Sequence, residues 1–295
     1  MSDVAKSIVF IIHAPGILEK EVPSGARLSR MLVRGMSFLT GGADPAEVFF
    51  NAGDRIGIKV NTLGGKRVST RPEITLALAG IISPVVSPQN ITIWDRSCAE
   101  LKQCGYRLNP GRGGFRILGT DTQGVGYERE LTAHRSIGSL FSSIQNQVTA
   151  SISLAVLKDH GLAGITAGMK NYFGAIHNPN KYHDDNCNPF IADLFDHGLI
   201  KDKHRLTVLD CLRVQYHRGP SYHREWSRKY ESVLISKDPV AADFVGWTII
   251  ERLRAEKGLP PLREEGREPI YLRTAEKLGL GTANPENISI VEEDG

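Results

Sequence analysis

Short apolar segments alternate with segments of helical periodicity along most of the chain, and this alternation constrains the fold more than any other feature. Strand-like segments occur at residues 8–12, 55–61, 91–96, 148–157 and 206–210. Between them, apolar side chains recur at helical spacing, as at residues 28, 31, 32, 36 and 39. A strand–helix–strand order predicts parallel pairing with right-handed crossovers. We therefore expect an α/β fold: a layered, mostly parallel sheet with helices on both faces.

The chain has 295 residues, which is enough for one large domain or two modest ones. No internal repeat or low-complexity segment marks a boundary. We expect a single α/β domain over residues 1–295. A subdivision near residues 145–150, into an N-terminal and a C-terminal half, is the alternative.

Composition and charge exclude several classes of function. The composition is typical of a soluble globular protein, with 41% hydrophobic and 23% charged residues, and the net charge of +3 is too small to indicate nucleic-acid binding. No apolar stretch reaches the roughly 18 residues of a membrane span. The short apolar run at the N-terminus reads as a strand, so we expect a cytoplasmic protein, although an exported protein with its signal removed fits the same sequence.

Two other classes of site are not predicted. The four cysteines form no Cys-x-x-Cys pair, so an iron–sulfur cluster is not expected. The glycine-rich loop at residues 109–114 lacks the pattern of a phosphate loop or a dinucleotide fingerprint, so no nucleotide site is predicted there.

The segment from Leu157 to His177 is the most unusual part of the sequence. An apolar run ends abruptly in Lys158, Asp159 and His160, and glycines follow at positions 161, 164, 168 and 174. Glycine allows backbone or ligand to approach where a Cβ would clash. The pattern predicts a polar pocket at the end of a strand. Residues 163–173 have helical character despite their glycines.

Several predicted strands end in polar or charged residues: Lys59 and Asn61, Asp95 and Arg96, Lys158 and His160, and Asp210. In open parallel α/β sheets the ligand crevice lies beyond the carboxyl ends of the strands. We therefore expect these side chains to share one space, while solvent exposure at strand ends is the plain alternative for any one of them.

This arrangement predicts a cationic pocket, and the expected ligand carries phosphate or carboxylate. The predicted substrate-binding residues are Lys59, Asn61, Arg71, Asp95, Lys158 and Asn171. The predicted catalytic residues are His160, His183 and Lys170, with a histidine as general acid or base and a lysine nearby to tune it. Asp243 lies beside the apolar face of a predicted helix, which suggests either a buried salt bridge or a role in the site.

A divalent metal is an alternative use of the same histidines. His160, His177 and His183, with Asp184 and Asp185 close by, have the side chains that suit zinc, iron or nickel. No pair has the i, i+4 spacing of a helical metal motif, and hydrogen-bonded structural histidines fit equally well. The histidines at positions 197, 204, 217 and 223 are expected outside the site.

The chain resembles the family called domain of unknown function 362, over about Gly53 to Leu253. The most specific matches are the blocks Thr166–Asn171 and Asp238–Asp243. The family usually has proline where Val60 stands and threonine where Asp159 stands, so Asp159 places a negative charge beside the expected anion site. Members are often fused to iron–sulfur ferredoxin modules or carry export signals.

A weaker likeness links residues 69–72, Ser-Thr-Arg-Pro, to lactate racemase and its relatives. Those proteins hold a nickel-pincer nucleotide through a lysine and histidines. The resemblance makes Lys170 and one of His160, His177 and His183 formal candidates for such roles.

Two functions from different classes follow from the sequence. The first is an enzyme that acts on a small anionic metabolite through a Lys/His/Asn pocket, with or without a metal and with the reaction undetermined. A lactate-racemase-like isomerase is a special case of it. The second is a non-catalytic carrier that binds a cofactor or metal, since both functions need a polar pocket.

Overall fold

The computed structural model describes residues 6–111 and 113–295. Met1 to Ala5, at the N-terminus, and Arg112, in the predicted glycine-rich loop, lie outside the described residues. No helix in the described part of the chain is long and apolar enough to cross a membrane.

The strands are β1 Ser7–His13, β2 Ile56–Val60, β3 Ile91–Asp95, β4 Arg116–Gly119, β5 Thr132–His134, β6 Ile137–Ser139, β7 Ala150–His160, β8 Gly164–Thr166, β9 His204–Gln215, β10 Ser227–Ser236 and β11 Ile288–Asp294. The α-helices are α1 Gly25–Leu39, α2 Pro45–Phe49, α3 Pro72–Ile82, α4 Cys98–Gln103, α5 Ser143–Gln147, α6 Phe190–Phe195, α7 Gly198–Lys201, α8 Pro239–Ala255 and α9 Tyr271–Lys277. Short 3₁₀ turns include Lys66–Val68, Lys170–Ala175 and Pro179–Tyr182.

The main sheet has the strand order β11-β1-β10-β9-β7-β2-β3-β4, and β8 pairs with the end of β7. The block from β9 to β4 is parallel throughout. Strand β10 runs antiparallel to both of its neighbours, β9 and β1, and β8 runs antiparallel to β7. The sheet is therefore mixed but mostly parallel, which confirms the predicted α/β class.

Apolar side chains are buried on both faces of the sheet, because successive residues of a strand point to opposite sides. Phe10 and Ile12 of β1 pack with residues of α1 and α3 in one core. Val9 and Ile11 pack with residues of α6, α8 and α9 in the other core. Helices on both faces complete the layers.

Strands β2 and β7 lie side by side at a reversal of the chain's direction across the sheet. From β2 the chain continues to β3 and then β4, whereas from β7 it continues to β9 on the opposite side. In open α/β sheets the crevice at such a reversal, beyond the carboxyl ends of the strands, is where ligands bind. The β2–β7 pair also joins strands from before and after residues 145–150 in one sheet.

The predicted helical character of residues 163–173 is wrong. Gly164 to Thr166 form β8, and the helical turn of Lys170–Ala175 is of the 3₁₀ type. Gly164 has φ of +77°, and a Cβ there would lie 2.3 Å from the carbonyl oxygen of Arg267. The glycine therefore makes a tight turn between β7 and β8, which a continuous α-helix excludes.

Candidate functional site

The carboxyl ends of β2, β3 and β7 open into a cavity of about 290 Å³, which we call the central pocket. Nine residues expected there from the sequence line it: Lys59, Asn61, Asp95, Arg96, Lys158, His160, Lys170, Asn171 and His183. They come from strand ends on one side and from the segment after β8 on the other. The structure therefore brings Asn61, Asp95 and Lys158 together, as expected from their places at strand ends.

Lys59 and Asp95 form a buried ion pair at the base of the central pocket. The Nζ of Lys59 lies 2.6 Å from Oδ1 of Asp95, and both side chains are almost completely buried. The other oxygen of Asp95 accepts hydrogen bonds of 2.7 Å from the backbone N–H and the hydroxyl of Thr62. Burial works to raise the pKa of Asp95, but Lys59 and these donors lower it below its ordinary value. Both groups are therefore charged, and they neutralise each other.

Asn171 is fixed in orientation between two strands. Its amide nitrogen donates to the carbonyl oxygen of Lys59 at 2.7 Å and to the hydroxyl of Ser153 at 3.1 Å, and its Oδ1 accepts from Lys59 Nζ at 3.2 Å. Asn61 differs, because its buried Oδ1 has no hydrogen-bond partner among the described residues. Asn171 therefore supports the wall, while Asn61 offers a free acceptor.

Lys158 is buried and faces only backbone oxygens. Its Nζ donates to the carbonyl oxygens of Leu63 and Val68, the latter at 2.8 Å. Burial lowers the pKa of Lys158 from 10.5 to about 7, and Asp95, which opposes this shift, does not form an ion pair with it. Its ammonium and amine forms are therefore both accessible near neutral pH.

Lys170 lies on the opposite wall, in an aromatic setting. Its Nζ is 3.3 Å from Nε2 of His183 and 4.3 Å from the centre of the Phe173 ring. Burial lowers its pKa from 10.5 to about 8. This lysine also has no carboxylate partner among the residues that the structure describes.

The two histidines of the pocket have fixed and complementary tautomers. Nδ1 of His160 accepts the backbone N–H groups of Leu162 and Ala163, each at 3.2 Å, so its proton is on Nε2. Nδ1 of His183 lies 3.1 Å from the carbonyl oxygen of Pro179 and must donate, so its Nε2 is a free base beside Lys170. These protonation states are assigned from the contacts.

Both imidazoles are neutral at physiological pH. Burial, followed by the charge of Lys170, lowers the pKa of His160 to about 2 and also lowers the pKa of His183. The rings stack with their centres 5.7 Å apart. The pair therefore presents one N–H donor and one nitrogen acceptor side by side.

Asp243 positions the segment that carries Lys170 and Asn171. It is buried at the start of α8 and accepts hydrogen bonds from the backbone N–H groups of Gly168 at 2.7 Å and Met169 at 3.1 Å. The hydroxyl of Tyr271 donates to it at 2.9 Å. Among the described residues Asp243 therefore has no salt-bridge partner, and it does not line the pocket but supports the wall from behind.

Three predicted residues lie elsewhere. The guanidinium of Arg71 donates to the carbonyl oxygen of Glu21 at 3.2 Å and does not line the pocket. Asp210 is not a strand end, because β9 continues to Gln215, and its carboxylate accepts from the backbone N–H of Arg71. His177 is exposed and packs edge-on against Tyr127.

The three-histidine metal set is consequently not assembled, because His177 is separated from His160 and His183. Among residues 6–111 and 113–295, no group of three or more His, Cys, Asp or Glu side chains is placed to hold a metal ion. The four histidines expected outside the site, at positions 197, 204, 217 and 223, do not line the central pocket.

Asp159 also departs from expectation. It lies between Lys158 and His160 in β7 but points to the opposite face, where it accepts from Arg267 at 2.8 Å and from the backbone N–H of Gly219 at 2.7 Å. Its negative charge is therefore not beside the pocket.

Sequence reasoning missed several residues of the wall, among them Glu100, Phe173, Gly174, Pro179 and Pro220. Gly174 had a signal in the glycine pattern: a Cβ at this position would lie 2.8 Å from Lys59 Nζ and 3.0 Å from Asp95 Oδ1. Glu100 adds a carboxyl group whose pKa is raised by burial and by Asp95. The others come from loops that fold back, for which the sequence carries no local signal.

The chain matches a known protein family. The family described as Domain of unknown function (DUF362) matches residues 56–248, which include every lining residue of the central pocket. None of the curated proteins matches the chain.

Proposed function

The chain belongs to the DUF362 family, and we propose that it is an enzyme that acts on a small carboxylate- or phosphate-bearing metabolite in the central pocket. One observation carries the proposal: Lys158 and Lys170 are buried in the same cavity, and neither has a carboxylate partner among the described residues. A buried charge is costly unless it is paired. An anionic ligand supplies the missing partner.

The charges of the side chains that line the central pocket favour an anionic ligand. Lys59, Arg96, Lys158 and Lys170 are its four cationic side chains, and Asp95 and Glu100 are its two carboxyl groups. Lys59 and Asp95 neutralise each other, which leaves Arg96, Lys158 and Lys170 facing one carboxyl group, that of Glu100, so the lining keeps an excess of positive charge for a ligand. Charge-assisted hydrogen bonds from lysines to an anion are worth about 1.5–3 kcal/mol each.

Proton transfer is the chemistry that these side chains support best. Effective acid–base groups have pKa values near the working pH. Lys158 and Lys170, with pKa values of about 7 and about 8, meet this condition. In the proposed reaction His160 Nε2–H donates a hydrogen bond to the substrate, and Lys170 with His183 Nε2 exchanges a proton with it. An isomerisation and a redox step both contain such a transfer, so the reaction class stays open.

Ligand binding is tested by thermal unfolding of the full chain with three probes: acetate, glycolate and inorganic phosphate. A ligand at 100 times its Kd stabilises the folded state by about 2.7 kcal/mol. We expect at least one probe to raise Tm, and Lys158→Met and Lys170→Met each to raise its Kd by tenfold or more. Lys102→Met, which replaces an exposed lysine, is the matched control and should bind like the parent.

Catalysis is tested separately from binding. The protein is added to a mixture of small metabolites at about one thousandth of their concentration, and the mixture is followed by mass spectrometry. An enzyme converts many equivalents of a metabolite, and the Lys158→Met/Lys170→Met protein does not. Depletion of no more than one equivalent per chain would reject the enzyme and support the alternative, a non-catalytic carrier.

A further inference from the structure

A second, strongly basic cavity lies outside the central pocket. It has a volume of about 630 Å³ and is lined by Glu21, Arg67, Arg213, Tyr222, Arg224, Ser227, Arg228 and Lys229. We call it the arginine pocket. Nothing in the proposed function uses it.

The positive charges of this cavity exceed the negative ones near it. Glu21 pairs with Arg213 at 2.9 Å and with Lys229 at 3.2 Å, and Glu256, outside the cavity, pairs with Arg228. Five cationic side chains thus meet two carboxylates, which leaves three positive charges uncompensated. Arg213 and Lys229 are moreover directly opposite each other in the β9–β10 ladder, where like charges destabilise a sheet.

Two residues that line this cavity each carry a buried polar atom that has no hydrogen-bond partner among the described residues. These atoms are the Nε of Arg213, whose side chain is only 9% exposed, and the hydroxyl of Ser227. Unpaired buried donors are costly, so a group that accepts from them is expected. These unpaired donors are an observation separate from the excess of positive charge, and they indicate the same kind of ligand.

The remaining walls offer further donors. Nη1 of Arg67 lies 3.3 Å from the hydroxyl oxygen of Tyr222, and its guanidinium lies 5.4 Å from the centre of that ring. Because Tyr222 accepts from Arg67, its own hydroxyl hydrogen is free for a ligand. Arg224 is exposed at the rim. Guanidinium groups bind phosphate through paired hydrogen bonds.

From these contacts we infer that the arginine pocket is a binding site for a phosphate group, either free phosphate or the terminal phosphate of a small ester. A tetrahedral dianion fits better than a carboxylate, because its three terminal oxygens can accept from Arg213, Ser227, Tyr222 and Arg67 together. Its two negative charges also offset most of the uncompensated charge. This inference does not depend on the function proposed for the central pocket.

The two cavities share their dividing wall. Leu63 and Pro220 line the central pocket, whereas Arg67 and Tyr222, a few residues further along the same two segments, line the arginine pocket. A phosphate titration of the parent therefore needs variants that separate the two sites.

The test is calorimetric titration of the full chain with inorganic phosphate and, in a second arm, with methyl phosphate. We expect Arg67→Gln/Arg224→Gln and, independently, Ser227→Ala to weaken phosphate binding, the double variant by at least tenfold. Arg30→Gln, an exposed arginine of α1 without a contact in this pocket, is the matched charge control and should bind like the parent. Equal affinity for methyl phosphate identifies a terminal phosphate as the recognised group, and a strong preference for inorganic phosphate identifies the free ion.

Repeating the titration in the Lys158→Met/Lys170→Met protein removes the lysines of the central pocket. Binding that persists there and is lost on adding Arg67→Gln/Arg224→Gln supports the arginine pocket, whatever the central pocket does. The inference is overturned if the arginine and serine variants of the parent bind phosphate as tightly as Arg30→Gln does. Thermal unfolding of each variant establishes that it is folded.

Discussion

The two faces of strand β7 carry buried charges with opposite surroundings. On one face Asp159 is fully buried but accepts from Arg267 at 2.8 Å and from Gly219 at 2.7 Å, with Arg254 4.0 Å away. On the other face Lys158 is equally buried but meets only backbone carbonyl oxygens. Adjacent residues of one strand thus differ in whether the protein itself supplies the counter-charge.

This difference distinguishes a buried charge that has partners in the chain from a buried charge that has none among the described residues. A buried charge with partners from distant parts of the chain stabilises the arrangement of those parts, and removing it leaves its partners unpaired. A buried charge without a partner lowers stability, and proteins retain such groups where activity requires them. The Asp159 face therefore holds the C-terminal segment, whereas the Lys158 face carries the charge that the proposed ligand would pair.

The largest expected effect is that of Asp159→Ala. It leaves Arg267 and the buried Arg254 to share Glu265 as their carboxylate partner, and removing one member of a buried pair costs about 3–5 kcal/mol. We expect a loss of this size in the free energy of unfolding, measured by urea denaturation. Glu264→Ala, an exposed carboxylate of the same C-terminal segment, should change it by less than about 0.5 kcal/mol.

A double variant sharpens this result. Asp159→Ala/Arg267→Met also removes one of the two arginines that share Glu265 once Asp159 is gone, so it should lose less stability than the two single effects added together. Strict additivity would show that Asp159 and Arg267 do not stabilise each other. A loss below about 1 kcal/mol for Asp159→Ala would remove the distinction between the two faces.

An intermediate effect is expected for Asp243→Asn. The amide can accept the N–H of Gly168, but its nitrogen then faces the N–H of Met169, which loses its acceptor. An unsatisfied buried donor costs about 1–3 kcal/mol. Tyr271→Phe keeps both backbone contacts of Asp243 and should lower the free energy of unfolding by about 1 kcal/mol or less.

The pH dependence of the same variant provides a check on the charge. Burial raises the pKa of Asp243 from 3.8 to about 7. The folded state then holds a proton that the unfolded chain has released, so this contribution to stability declines as pH rises from about 4 to about 7. The loss caused by Asp243→Asn should therefore be larger at pH 5 than at pH 8, and an equal loss at both would contradict the raised pKa.

The parallel sheet and part of the site could be predicted from sequence because their signals are local. Apolar runs that end in polar residues mark strands, and parallel strands present those ends at one edge. Asn61, Asp95 and Lys158 lie together in the central pocket because their strands end at the same edge of the sheet. The resemblance located the segment with Lys170 and Asn171, whose motif is short and contiguous.

The predictions that did not hold concern contacts between residues that are distant in sequence, or the length of a strand. Asp210 looked like a strand end, but β9 continues five residues further because it stays paired with β10 as far as Gln215, opposite Ser227. Arg71 precedes α3, and its side chain reaches Glu21, 50 residues away in sequence. Asp243 supports Gly168 from 75 residues away, which no periodicity in the sequence encodes.

The smallest effect on stability is expected for Lys158→Met, and it is the most informative one. An apolar side chain removes the cost of burying an unpaired charge, and replacing even a buried ion pair by apolar side chains is often neutral or stabilising by about 1–4 kcal/mol. Against this, the carbonyl oxygens of Leu63 and Val68 lose their donor, at a cost of about 1–3 kcal/mol. The two effects largely cancel, so we expect the free energy of unfolding near pH 6 to change by no more than about 1 kcal/mol.

The pH dependence determines which of these two effects is at work. The pKa of Lys158 is about 7 in the folded state and 10.5 ordinarily, so between these values the unfolded chain binds a proton that the folded state has released. The stability of the parent therefore rises with pH over this range, relative to that of Lys158→Met. Below pH 7 both states of the parent are protonated, and the penalty for burying the charge is fully present. Any advantage of the variant should thus be greatest near pH 6 and should disappear towards pH 10. If Lys158→Met instead lost several kcal/mol near pH 6, as Asp159→Ala is expected to, Lys158 would be a structural residue like its neighbour, and the central pocket would lose the unpaired charge on which its proposed ligand depends.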